Sequence, residues 1–169
     1  MMKKFFALLC AVLMLVGCLG LTGCGNETIV VGYTIYAPMN YKNDAGDLVG
    51  FDTDLAKAVF EELGYEVIFK EINWPDKYTD LNSGVIDCVW NGFTCNSTDD
   101  DGVARADKVD FSYRYMQNLQ VVVTKKDSGI TSAADLNGKI VSVEAGSAGE
   151  SYAKGFEGAV VKTATKQTD

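Results

Sequence analysis

From Thr28 onward the chain alternates short β-branched runs with segments of helical period, and that alternation is what most restricts its fold. Thr28-Ile29-Val30-Val31-Gly32-Tyr33 suits a buried strand. After Phe51, residues Leu55, Val59 and Leu63 fall on one helical stripe beside Ala56 and Phe60, with Asp52 expected to cap the helix and Gly64 to end it. Tyr65 to Lys70 reads as a second strand, Asp76 to Asn82 as a short helix closed by Ser83-Gly84, and Val85 to Trp90 as a third strand. Strands separated by helices need crossover connections, which make the strands parallel and place helices on the sheet faces. The expected class is α/β.

Turn chemistry at Asn43-Asp44-Ala45-Gly46-Asp47, followed by Leu48-Val49-Gly50-Phe51, predicts a hairpin-like excursion between the first strand and the first helix. Extended structure is expected again at Val109-Asp110-Phe111 and from Leu119 to Thr124, with a polar break at Lys125 to Gly129. A lobe boundary is placed near Met116 to Leu119, giving a first lobe over residues 28–117 and a second over 118–169. The second is expected to contain a short helix at Ser132 to Leu136, a turn at Asn137-Gly138 and a strand from Lys139 to Val143. A helix from about Ser147 to Phe156 and a strand from Ala159 to Lys162 follow.

The segment ahead of all this sorts differently. Lys3-Lys4 forms a basic head, and Phe5 to Leu21 is nearly all apolar and uncharged, as in a secretory signal. The apolar run ends at Gly23-Cys24 and gives way to Gly25-Asn26-Glu27 without the basic flank of a membrane anchor. Leu21-Thr22-Gly23-Cys24 resembles the bacterial lipobox, which implies cleavage after residue 23, a diacylated Cys24 and a linker over 24–27. Leu15-Val16-Gly17-Cys18 fits the same loose pattern, but cleavage there would leave apolar Leu19-Gly20-Leu21 ahead of the domain.

Charge and side-chain inventory narrow the function classes. Loss of Lys3 and Lys4 takes the formal net charge of −8 down to −10, which argues against nucleic acid or anionic lipid as a partner. There is no histidine, and the cysteines lack zinc-type spacing, so neither a metal nor any other cofactor is expected, and His-based nucleophilic catalysis is unsupported. Cys88 and Cys95 remain in the folded part. Extended chain would hold them about 23 Å apart, so pairing would require a sharp turn at Asn91-Gly92; two buried free thiols is the favoured reading.

The ordered motifs Tyr36-Ala37-Pro38, Gly50-Phe51-Asp52-Thr53-Asp54-Leu55-Ala56, Asn91-Gly92-Phe93-Thr94, Val109-Asp110-Phe111-Ser112 and Gly146-Ser147-Ala148-Gly149 resemble the bacterial extracellular solute-binding proteins of family 3. The resemblance implies a periplasmic-binding-protein-like, type II fold of two α/β lobes closing on one amino acid for an ABC importer. It implies a non-enzymatic, monomeric protein on the outer face of the cell membrane, whose partners are the ligand, the permease subunits and, through Cys24, the bilayer.

The same resemblance assigns residues. Arg105, five positions before Asp110, stands where the family's carboxylate-binding arginine does, and a guanidinium fork can hold both carboxylate oxygens. A solvated arginine is the competing reading, because Asn96-Ser97-Thr98-Asp99-Asp100-Asp101-Gly102 lengthens the segment before it. Asn91, Gly92, Phe93 and Thr94 are expected at a strand end facing the ligand, with a local turn hydrogen bond as the alternative for Thr94 and a core role for the Phe93 and Trp90 rings. Asn96 replaces a more usual hydroxyl residue. Tyr36 and Trp74 align with aromatics that sandwich the ligand side chain; packing filler is the alternative. Ser147 and Ala148 open a helix whose N–H groups suit the ligand carboxylate, or the adjacent glycines simply make the turn. Glu144 is read as a solvated strand-end charge in preference to a selector of polar or cationic side chains.

Relatives continue beyond the point matching Asp169, so the second lobe is expected to be incomplete and the chain by itself to bind weakly or not at all. Two other classes share the fold: periplasmic dehydratases of the cyclohexadienyl or prephenate type, and ligand-sensing domains. An enzyme would need an acid or base in the cleft, for which Glu144 and Asp99 are the candidates.

Overall fold

The structure, a computed structural model, describes residues 27–166. The proposed signal segment and lipid-bearing Cys24 lie outside the described residues. β1 (Thr28–Tyr33) is the middle strand of a parallel sheet, flanked by β4 (Glu66–Glu71) and β5 (Cys88–Val89). Val31 and Tyr33 of β1 are buried, as a strand with neighbours on both edges requires. The antiparallel hairpin β2 (Tyr41–Lys42) and β3 (Leu48–Val49) turns at the expected segment, with Gly46 at φ 88°.

The third strand is shorter than its apolar run suggested. Only Cys88 and Val89 join the ladder, because the carboxylate of Asp87 accepts the Val30 amide at 2.7 Å in place of a carbonyl. Ile86 remains buried, and its Cδ1 lies so near Gly32 that a Cβ there would sit 2.6 Å away. Gly32 therefore allows the close approach of these two segments.

Helix α1 (Phe51–Glu62) forms where expected, but two of its details differ. Gly50, at φ 127°, occupies the N-cap, and Asp52 makes no cap bond. Instead Asp52 is buried, its backbone amide bonded to the Met39 carbonyl and its carboxylate accepting the Tyr115 hydroxyl at 2.9 Å. The face against the sheet is centred on Thr53 and Ala56, both fully buried, whereas Val59 and Leu63 are exposed. A stripe defined by its largest residues was thus rotated about one residue from the face that packs.

After β4, a 3-10 turn (Trp74–Asp76) leads into α2 (Lys77–Asn82). Residues 109–124, expected to be partly extended strand, form no ladder among the described residues, and Leu119, Val121 and Val123 are each at least 75% exposed. A second parallel pair follows: β6 (Ile140–Glu144) and β7 (Val160–Ala164), joined through α3 (Ala148–Ala153). Before it, a 3-10 turn (Ala133–Leu136) is closed by a reciprocal Ser132–Asp135 capping box. Cys88 and Cys95 are free and only half-buried, so the expected burial of both thiols is not met. Burial pushes the Cys88 thiol up to about 11, with Asp87 adding to the effect. No helix among the described residues is long and apolar enough to cross a membrane.

Candidate functional site

Parallel strands all point their carboxyl ends one way, so the loops that leave them meet on one side of the sheet. Thr34 and Tyr36 follow β1, Trp74 follows β4, Asn91 to Thr94 follow β5, and Ser147 and Ala148 follow β6. All of these except Phe93 line one open cleft with about 470 Å³ of space, part of it open to solvent, which Arg105 also lines.

Arg105 is 1% exposed, so the solvated alternative does not hold. Its Nε donates to Asp99 Oδ1 at 2.8 Å and its Nη2 to the Gly146 carbonyl at 3.2 Å, while the guanidinium carbon lies 5.1 Å from the Phe93 ring centre. Asp99 also accepts the Tyr78 hydroxyl at 2.6 Å and Lys108 Nζ at 3.1 Å. Burial works to raise the Asp99 carboxyl, but the Tyr78, Arg105 and Lys108 donors outweigh it and hold the group at about 2. Burial, with the hydrogen bond to Asp99, pushes the Tyr78 hydroxyl well above the ordinary tyrosine range.

Trp74 both lines the cleft and packs into the scaffold. It is 5% exposed, its Nε1 donates to the Gly146 carbonyl at 3.0 Å, and its ring meets Phe93 edge-on at 5.0 Å. Its indole forms a cleft wall while being fixed from behind. Tyr36 is half-buried and lies so close to Gly92 that a Cβ there would be 3.2 Å from its ring. Beneath these rings Lys77 is 3% exposed, its Nζ 4.9 Å from the Trp74 and 4.6 Å from the Tyr78 ring centres and bonded to the Trp74 carbonyl. Burial lowers its pKa. Nothing in the sequence pattern marked this lysine as internal.

Asn91 lines the cleft but spends its side chain on the scaffold: Nδ2 donates to Thr34 Oγ1 at 2.6 Å, and Oδ1 accepts the Gly92 amide at 2.7 Å. Thr94 Oγ1 accepts from Asn118 Nδ2 at 3.3 Å, so its hydroxyl bridges to a neighbouring segment. Ser147 is the N-cap of α3, its hydroxyl accepting the Glu150 amide at 3.0 Å and its own amide donating to the Glu144 carbonyl at 3.3 Å. The Ser147 amide thus has an acceptor within the chain, and Ser147 and Ala148 lie side by side on the cleft wall.

Two expected residues are not on the cleft. Phe93 turns into an aromatic cluster with Trp74, Tyr78 and Phe111. Asn96 is exposed, because the Thr98–Ala104 bridge and the turn from Asp99 to Val103 carry the chain outward. Thr34, Asn118, Gln120, Glu144 and Gly149 complete the lining. Of these, Asn118 and Gln120 alternate with apolar residues, a period-two signal that pointed to one face of an extended segment. Glu144 is half-buried at the cleft, which corrects its reading as a solvated charge.

A family model described as bacterial extracellular solute-binding proteins, family 3, matches residues 29–168. The chain is 36% identical over 161 residues to the arginine-binding extracellular protein ArtP of Bacillus subtilis (strain 168), covering 90% of this chain and 60% of that protein. Among solved structures, a Streptococcus pneumoniae ABC uptake transporter substrate-binding protein with bound histidine is similar at TM-score 0.69 and 37% identity. It covers 82% of this chain, which in turn covers 58% of it. The ancestral amino acid-binding protein AncCDT-1, a precursor of cyclohexadienyl dehydratase, is similar at TM-score 0.74 and 34% identity, over 84% of this chain and 63% of that one. The chain thus spans about three-fifths of the length of these three proteins.

Proposed function

The chain belongs to the bacterial extracellular solute-binding proteins of family 3, and from the chemistry of its cleft we propose that it captures a free amino acid with a polar or charged side chain for an ABC importer. The observation that carries this reading is Arg105: a 1%-exposed guanidinium on the wall of an open cleft. A buried cation is costly unless paired. Asp99 and Gly146 engage Nε and Nη2, and the Nη1 end makes no hydrogen bond among the described residues. An α-carboxylate is the group that suits that end.

Trp74 and Tyr36 supply flat apolar walls for a side chain, and Glu144 brings negative charge to the same cleft. The proposed division into lobes over 28–117 and 118–169 places Arg105 and Trp74 in one and Ser147 in the other, so a ligand would close the two. The lipobox-like Leu21 to Cys24 supports a lipid-anchored, extracytoplasmic protein. The similarity to a dehydratase precursor keeps an enzymatic reading in view, but Asp99, held at about 2, is ionised near neutral pH and unsuited to act as a general acid.

The test is a thermal-shift screen of the twenty amino acids on the full-length gene product, followed by calorimetry. A shift with one or a few polar or charged amino acids that disappears in Arg105→Ala supports the proposal. No shift with any amino acid, or equal binding by the variant, removes it, and turnover of a prephenate-like acid would replace it.

A further inference from the structure

The acidic segment ahead of Arg105 is a built element. The Asp99 amide donates to the Val103 carbonyl at 3.0 Å, Gly102 closes the turn at φ 79°, and Thr98 bridges Ala104. The Arg105 amide then donates to the Ser97 carbonyl at 3.0 Å, which fixes the arginine backbone to the base of this turn. On the outside, Ser151 Oγ donates to the Thr98 carbonyl at 3.2 Å, and Lys154 Nζ lies 2.8 Å from Asp100 Oδ1. The turn is thereby seated on α3, whose first residues line the cleft.

The geometry of the guanidinium gives this element a purpose. Nε and the adjacent Nη2 form one edge of the fork; Asp99 takes the Nε hydrogen on that edge, and the Gly146 carbonyl takes one of the two on Nη2. The edge between Nη1 and Nη2 is the one left to meet a carboxylate in bidentate fashion. Asp99 is itself held by Tyr78 and Lys108, so its position does not depend on the arginine alone. The Phe93 ring, with its centre 5.1 Å from the guanidinium carbon, adds an apolar floor.

We propose that Asp99 is a positioning residue for ligand binding: it grips the Nε edge of Arg105 and thereby presents the other edge to the α-carboxylate of the amino acid. This rests on the reading of the cleft given above. Asp99 does not touch the ligand; it sets the direction of the group that does. Without it a charged, rotatable guanidinium would lose one of its two fixed contacts, and orientation would be lost before charge was.

The experiment is a cycle of variant against ligand on the full-length protein, using the amino acid selected by the thermal-shift screen and its carboxamide. In the wild type the free acid should bind more tightly than the amide. Asp99→Ala should weaken the acid by about 10- to 100-fold, the range expected for a hydrogen bond to a charged group, while changing the amide by less than about twofold. Asp99→Glu should restore part of the loss. A purely structural role would weaken acid and amide alike, and that result overturns the proposal, as does an acid affinity unchanged in Asp99→Ala. If no free amino acid binds the wild type, the reading of the cleft fails and this proposal with it, an outcome distinct from an intact wild type with an indifferent Asp99.

Discussion

Trp74 Nε1 donates to the carbonyl oxygen of Gly146, 3.0 Å away and 72 residues further along the chain. The bond ties the loop after β4 to the turn between β6 and α3, the two sides of the cleft. Arg105 donates to the same oxygen, so one carbonyl receives an indole N–H and a buried guanidinium together.

Trp74→Phe keeps most of the wall and removes only the N–H. A half-buried neutral hydrogen bond contributes about 1 kcal/mol, and at this chain length that corresponds to a fall of roughly 2–4 °C in melting temperature. Ligand affinity should fall about fivefold, because the bond joins the two sides that a ligand would hold together. Thermal denaturation and calorimetry on the same preparation check both numbers. Unchanged stability and affinity would show that the bond is not maintained in solution.

Arg105→Ala should abolish amino-acid binding, and it should also destabilise the fold. In the structure this arginine is buried against Asp99 and Gly146, and its loss strands a carboxylate that has only two other donors. A cost of about 2–3 kcal/mol is expected, measured by chemical denaturation. Arg105→Lys keeps the charge without the fork and should still lose most of the affinity.

Much of this was legible in the order of strands, helices and motifs, and the limits have physical causes. The alternation from Thr28 to Val89 read correctly because β-branched runs and a helical stripe differ in period, and Arg105, singled out by its distance to Asp110, is buried on the cleft wall. The packed face of α1 was misread because hydrophobic size does not say which side of a helix is covered; small Thr53 and Ala56 fit the sheet more closely than Val59 and Leu63. Asn96 lies off the cleft because the turn at Asp99 to Val103 redirects the chain, and the Ser147 amide has a local acceptor in the Glu144 carbonyl. Such bonds leave no trace in composition or spacing.

Asp52 supplies a pH test. Burial raises its pKa, and the Tyr115 hydrogen bond only partly opposes this. A folded-state pKa above the unfolded value means that the protonated form is favoured on folding. That stabilisation is full below the unfolded pKa of about 3.9 and is lost as pH rises through the folded value. Asp52→Asn, which can still accept from Tyr115, should therefore be more stable than the wild type at pH 7 and indistinguishable from it at pH 3. Denaturation curves at the two pH values check this, and a gain of equal size at both would assign the effect to something other than ionisation.

The Lys154–Asp100 pair separates what the acidic turn does from the charge it carries. Both side chains are about half exposed, at 49% and 48%, and solvated pairs of this kind are weak and screened by salt. Asp99, by contrast, is 11% exposed with three donors converging on it. Lys154→Ala should accordingly change amino-acid affinity by less than about twofold, and that small change should vanish as ionic strength is raised past about 0.1 M, where the Debye length is about 10 Å. Asp99→Ala should keep its full effect across the same salt series, since a buried, hydrogen-bonded contact is screened far less. Calorimetric titrations of both variants at low and high salt make the comparison, and equal salt dependence in the two would mean that the turn acts through its net charge and not through its grip on Arg105.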